Sequence, residues 1–265
     1  MRMLHRTAAT ATLLTLAWAT GVVAQDDDWC RGSGWDDGEV AADVRETRLP
    51  ANRETVRVDA GANGGIRVHA WTDVGILVRA CVKGRATTQE RAEELVRAVR
   101  VTTGGTIGVD GPRNLGRHEG WSVNFEILVP VNTNLDLDGH NGGIGIEGVH
   151  GTIAFRTTNG GVRLVDVGGD VRGTTTNGGL HVELTGTRWD GAGLDARTTN
   201  GGVTLYVPAE YHAELETGTV NGGMDFDFPV TVQGRFARNL STTLGDGGAP
   251  IRVRTTNGGV RVRRR

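Results

Sequence analysis

Lysine is nearly missing from this 265-residue chain, where Lys83 is the sole lysine among 29 basic residues. Aromatics make up 5 %, and there are 6 prolines and 2 cysteines. Beyond residue 25 no run of 18 or more apolar residues occurs, so no transmembrane helix is expected in the mature chain. Gly-x-Ser-x-Gly, phosphate-loop and dinucleotide fingerprints are all missing. The glycine-rich turns are not followed by the helix that phosphate binding requires. Basic and acidic residues nearly balance, at 29 against 31, and no nucleic-acid partner is expected. Glycine, by contrast, is abundant: 42 residues with no three-residue period, which excludes collagen. The apolar 37 % falls in patterned β-branched runs, which excludes a disordered chain.

Residues 1–24 read as a Sec-type signal. Arg2 and Arg6 precede an apolar run from Ala8 to Trp18, and Val22-Val23-Ala24 suits cleavage after Ala24. The expected location is periplasmic or extracellular. Residues 25–49 read as a flexible acidic arm, with residues 26–46 carrying a net charge of −6. Cys30 lies in that arm and Cys81 in the apolar run Ile76–Val82. An oxidising compartment invites a disulfide between them, while Cys81 also reads as a small buried residue; the two readings stay open.

The second half is repetitive. Asn-Gly-Gly starts at Asn63, Asn141, Asn159, Asn177, Asn200, Asn221 and Asn257, with successive intervals of 78, 18, 18, 23, 21 and 36. The last is twice 18, and its midpoint, Asn239, reads as a corner that has lost its glycines. Three and five residues after each Asn comes an apolar residue, as in Val162 and Leu164, with Arg67, Gly145, Arg163, His181, Thr204, Asp225 and Arg261 between them. That in-out-in pattern is a strand with one buried face. A second strand closes each repeat and ends in Thr-Thr before the next Asn.

Asn-Gly between strands also signals hairpins, but a meander has no reason to keep its repeat length constant. A solenoid does, because each residue stacks on its counterpart one rung away. The expected fold is therefore an all-β solenoid, or β-helix, of about 18-residue rungs. In it Asn adopts a left-handed or turn conformation, the Asn amides stack as a ladder, and Gly-Gly fills a corner closed to any Cβ. Residues 141–265 form the regular repeats, continuous with a β-rich part over 50–140. There, strands are expected at 54–60, 65–70, 74–82, 97–102 and 121–131, and 103–120 reads as a mobile loop. A short helix is expected over 88–99, with Thr87 and Glu90 as a capping box.

The run from Val129 to Leu137, then Gly-His-Asn-Gly-Gly and repeated Thr-Thr-Asn-Gly-Gly units, resembles the putative-adhesin families of exported bacterial β-strand-repeat proteins. These are domains of unknown function, and the resemblance covers about residues 50–265. It implies a β-solenoid with a surface or adhesive role, and it supplies no catalytic residue to carry over.

Candidate chemistry is sparse. The seven histidines show no metal-ligand spacing, and no metal or cofactor is expected. Gly142-Gly143-Ile144-Gly145-Ile146-Glu147 approaches a calcium-binding repeat, but it occurs once and carries Glu for Asp. Asp136 with Asp138, and Asp225 with Asp227, are the carboxylate pairs a carbohydrate-cleaving solenoid would need, yet outward alternation already explains the second pair as solvated. Residues 235–265 carry a net +7, which reads either as an anion-binding end or as arginines guarding the exposed edge of the last rung. The expected function is that of an exported, non-enzymatic adhesin or envelope-associated binding or structural module. It would recognise its partner through the outward row Arg67, Arg163, His181, Thr204, Asp225 and Arg261. The expected partners are envelope polysaccharide, another surface protein or a second copy. The rival functions are a self-assembling envelope scaffold and a polysaccharide-acting β-helix enzyme.

Overall fold

A computed structural model describes residues 28–31, 38–51, 54–227 and 238–265. The signal-like segment 1–24 lies outside them. In chain order, the N-terminal elements are α1 (Asp28–Arg31), β1 (Glu39–Leu49), β2 (Val56–Asp59), β3 (Ile66–Trp71), β4 (Ile76–Ala86), α2 (Gln89–Ala98), β5 (Arg100–Thr102), β6 (Gly108–Asp110) and β7 (Gly120–Pro130). The repeats follow as β8 (Leu135–Asn141), β9 (Ile144–Glu147), β10 (His150–Asn159), β11 (Val162–Val165), β12 (Gly168–Asn177), β13 (Leu180–Glu183), β14 (Gly193–Asn200) and β15 (Val203–Val207). The chain ends with β16 (Ala213–Asn221), β17 (Met224–Phe226), β18 (Asn239–Leu244), β19 (Pro250–Asn257) and β20 (Val260–Arg264).

Two large sheets share one core. The larger runs β1-β4-β7-β3-β9-β11-β13-β15-β20-β17 and the smaller β18-β16-β19-β14-β12-β10-β8-β2. Each Asn-Gly-Gly carries the chain from a strand of the smaller sheet to one of the larger, and stacking is parallel through the repeats. The cause is the alternation: Val162 and Leu164 are buried while Arg163 faces out, and their counterparts Leu180, Val182 and Val203, Leu205 repeat the arrangement in register. The architecture is solenoid-like.

The corner is held by three stacked rows. Asn141 Nδ2 donates to Asn63 Oδ1 at 3.1 Å, and the same bond joins Asn159 to Asn141, Asn177 to Asn159, Asn200 to Asn177, Asn257 to Asn200 and Asn221 to Asn257 at 2.7–2.9 Å. Inside the ladder, the buried hydroxyls of Thr157, Thr175, Thr198 and Thr255 donate to the carbonyls of Gly142, Gly160, Gly178 and Gly201 at 2.6–2.8 Å. Thr219 joins this row through Gly258, and exposed Val220 merely replaces the outer threonine. A Cβ on Gly142, Gly160, Gly178 or Gly201 would lie 2.0–2.1 Å from a carbonyl oxygen of the neighbouring rung. Close approach of backbones, and not a left-handed turn, therefore demands glycine here. The corner asparagines themselves keep negative φ, which corrects the left-handed expectation.

The order of the last rungs also departs from expectation. Asn239 is not a corner: it opens β18, which pairs antiparallel with β16 through Gly218. The rung formed by β19 and β20 returns to lie between the Asn200 and Asn221 rungs, giving both strands parallel partners on both sides. Consequently β20 is internal, and its arginines guard no edge.

In the N-terminal part, residues 39–49 of the expected arm form β1, paired antiparallel with β4. Arg45 of β1 donates to the carbonyls of Val96 and Val99, satisfying acceptors that the end of α2 leaves open. The helix buries Ala92, Leu95 and Val96 against β4, where Gly84 lets the two backbones approach. Its N-cap is Thr88, accepting from the Arg91 N–H, and not Thr87 paired with Glu90. Cys30 and Cys81 are joined by a disulfide that ties α1 to β4.

Candidate binding groove

The outward row of the larger sheet reads, strand by strand, Arg67, Gly145, Arg163, His181, Thr204, Arg261 and Asp225. All six candidate binding residues thus share one face, in an order set by the displaced last rung. They divide by environment. At the C-terminal end several charges are engaged, although Arg261 is in no ion pair among the described residues: Arg263 pairs with Asp225, the Arg264 backbone N–H donates to Asp227, and Arg265 reaches Glu183 at 3.0 Å. Glu183 also meets Arg163 at 2.6 Å and His181 at 2.7 Å. Hydrogen bonding from His181 and the charge of Arg163 hold its carboxyl below the usual range. His181 in turn lies against Tyr206, with ring centroids 5.2 Å apart.

At the N-terminal end the same face is recessed into an open groove of about 1370 Å³. It runs from β4 across β7, β3 and β9 to β11. Four strand spacings make it roughly 19 Å long. Its floor is glycine-rich, with Gly143, Gly145 and Gly161 leaving backbone uncovered between Arg67 and Arg163. Trp29, Trp121 and Arg113 also line it. Trp121 is fixed by an indole N–H bond to the Pro112 carbonyl at 2.9 Å. A shallower depression of about 410 Å³ continues over Gly161, Gly179 and Gly202, beside Arg163, His181 and Thr204.

Two of the groove's carboxylates accept from guanidinium groups and the third faces an imidazole. Glu119 takes two bonds from Arg91, at 2.8 and 3.1 Å, and one from the Gly116 N–H. The Arg91 guanidinium, with that N–H, holds its pKa down at about 2. Glu126 accepts from Arg79 at 2.5 Å, and Glu147 faces His69 at 3.4 Å. Arg67 and Arg113, by contrast, have no ion-pair partner among the described residues.

The disulfide closes one end. Cys81 alternates with Arg79 and Lys83, so its side chain points away from the core, and it is fully buried because Cys30 covers it. Trp29 stacks beside it over Arg79, 5.5 Å from the guanidinium carbon to the ring centre. Trp29, Arg113 and Trp121 are the groove residues that sequence reasoning missed. Their only trace is a Trp beside the bridging cysteine, and an Arg and a Trp in and just after the glycine- and arginine-rich stretch 103–120.

The carboxylate pairs do not form an acid–base site. Asp136 lies 3.7 Å from Arg57, Asp138 pairs with Arg156 at 2.7 Å, Arg263 pairs with Asp225, and Asp227 accepts from the Arg264 backbone N–H. Arg263 holds Asp225 below its ordinary value, the reverse of what a general acid needs. Among the described residues, no three His, Cys, Asp or Glu side chains are placed to hold a metal, and no helix is long and apolar enough to cross a membrane. The smaller sheet's outer face carries a row of charge pairs, including Arg172–Asp170, Arg197–Asp195 and Arg254–Glu216.

No curated protein matches the chain. Among solved structures, it is similar to a putative cell adhesion protein from Clostridium sporogenes ATCC 15579, at 7 % identity and a TM-score of 0.44, covering 86 % of this chain and 100 % of that one. It is also similar to a putative adhesin from Bacteroides fragilis NCTC 9343, at 14 % identity and a TM-score of 0.36, covering 85 % and 97 %. The Toastrack DUF4097 family profile matches residues 129–263, just over half of the chain, and takes in the paired strands and stacked asparagines from Asn141 onward. The chain belongs to the Toastrack DUF4097 family.

Proposed function

We propose that this chain is an exported, non-enzymatic binding module that presents the outer face of its larger sheet to an envelope or surface partner. The observation that carries the reading is the groove at the N-terminal end of that face, open, aromatic-walled and lined by Arg67 and Arg113, neither of them in an ion pair among the described residues. Export is supported by the signal-like residues 1–24 and by a disulfide, which persists in an oxidising compartment. Rungs of about 18 residues, stretched at Trp189 by an insertion, give the face its regular spacing.

The test is binding of the purified chain from Gln25 onward to envelope polysaccharides, lipid vesicles and whole cells, at low and high salt. Saturable, partner-selective binding is expected. No binding to any of them, with concentration-dependent oligomers in the same sample, would overturn the reading in favour of a self-assembling scaffold.

A further inference from the structure

We infer that the groove holds an extended anionic glycan whose repeat units carry carboxylates. The inference rests on the binding-module reading and adds the ligand class.

Shape comes first. A small-molecule site is an enclosed pocket that buries most of its ligand. This one is open along its length, crosses five strands and continues as a shallow track past Gly161, Gly179 and Gly202. Such a trough accommodates a segment of a polymer. The corner motif lines it: from Gly143 onward the second glycine of each repeat is exposed and lays bare a strip of backbone beside the asparagine ladder, whose residues are also exposed. Flat rings lie on such a strip, with Trp29 and Trp121 offering apolar surface at the walls.

Charge selects the sign. Glu119 and Glu126 are engaged by the Arg91 and Arg79 guanidinium groups and Glu147 faces the His69 imidazole, so the groove's carboxylates are already turned to groups of the protein itself. Arg67 stands in the middle of the floor, Arg113 on the wall and Arg163 at the far end. The first two lack partners among the described residues. Guanidinium groups bind carboxylates in a bidentate fork, which matches repeated uronate carboxylates better than scattered point charges. A bilayer is the poorer fit, because these arginines are recessed beside a wall and do not project from a convex face. The expected anion-binding end at residues 235–265 is also the poorer site, since Arg263 and Arg265 are held by Asp225 and Glu183.

The experiment is calorimetric titration of the purified chain with oligogalacturonate, with neutral dextran and anionic phospholipid vesicles as comparison probes. Saturable binding to oligogalacturonate is expected, weakening about tenfold or more between low and high salt as the charges are screened. The double variant R67E/R113E should weaken it by at least about tenfold, since it reverses two exposed charges at the contact. Gly145→Trp tests the same trough without changing charge. An added Cβ there meets only Arg67 Cγ at 3.9 Å, so the position is open to a side chain, and an indole there would block the floor; circular dichroism checks that the variant is folded. Arg172→Ala, on the outer face of the smaller sheet, should bind as the wild type does. Binding that persists unchanged in folded Gly145→Trp and in R67E/R113E would overturn the groove assignment. Preference for dextran or vesicles would overturn the ligand class, and both results leave the binding module standing. Absence of binding to all three probes and to whole envelopes would overturn both.

Discussion

At Gly160 the fold depends on a missing atom. Its position in the stack brings the Gly142 carbonyl oxygen to 2.0 Å from where a Cβ would stand, and the obstacle is backbone, which cannot swing aside. Its neighbour Gly161 is less confined, with 3.4 Å to the Gly179 oxygen. The two glycines of one motif therefore do different work: the first allows rungs to close, and the second keeps the outer strip bare. Gly160→Val should lower stability by roughly 3 kcal/mol or more, since relief requires separating rungs joined by ladder hydrogen bonds. Gly161→Ala should have a small effect. Gly104→Ala, which meets nothing within 4 Å, should melt with the wild type. Thermal unfolding of the three variants checks the order, and equal melting temperatures for Gly160→Val and Gly104→Ala would sink the stacked-corner account.

Among the elements, β20 carries the clearest consequence of topology. In a parallel ladder alternate residues face opposite neighbours. The Val260 N–H donates to Gly223 on the β17 side, while the Val203 N–H donates to Gly259 from the β15 side. Hydrogen exchange should therefore find both alternating sets protected, Val260 with Val262 and Arg261 with Arg263. If one set exchanged at the rate of an unfolded chain, β20 would be an edge and the inserted rung would be wrong. The strands themselves were legible because alternation and Asn-Gly-Gly are local signals, and 54–60, 65–70 and 121–131 fall close to β2, β3 and β7. Spatial order was not legible. The rungs at Asn200, Asn221 and Asn257 carry the same pattern, so any could stack on any, and the choice is made by long-range pairing. β1 was hidden for another reason: Ala41 is its one fully buried residue, and its place is fixed by backbone pairing and by Arg45 reaching α2.

At the scale of the whole molecule, one covalent tie joins the N-terminal segment to the groove. Half of the groove was legible, since Arg67 and Arg163 belong to the outward row. The remainder was not, because Trp29, Arg113 and Trp121 arrive from a bridged helix, a loop and the start of β7, with no shared period. The disulfide closes a sequence separation of 51 residues. Loop-closure entropy then gives a stabilisation of about 4 kcal/mol at most, and engineered comparisons usually return less. Cys81 would otherwise face outward from β4, so losing the bridge also uncovers an apolar patch and frees α1 with Trp29. The C30S/C81S variant should shift the denaturant midpoint downward by an amount worth roughly 2–4 kcal/mol. It should also lose affinity for oligogalacturonate through the freed wall, whereas the oxidised wild type keeps both. Reductant applied to the wild type should reproduce the shift, and applied to C30S/C81S should do nothing. An unchanged midpoint in the variant would mean that packing alone seats α1 against β4, and the end of the groove would then be closed without help from the bridge.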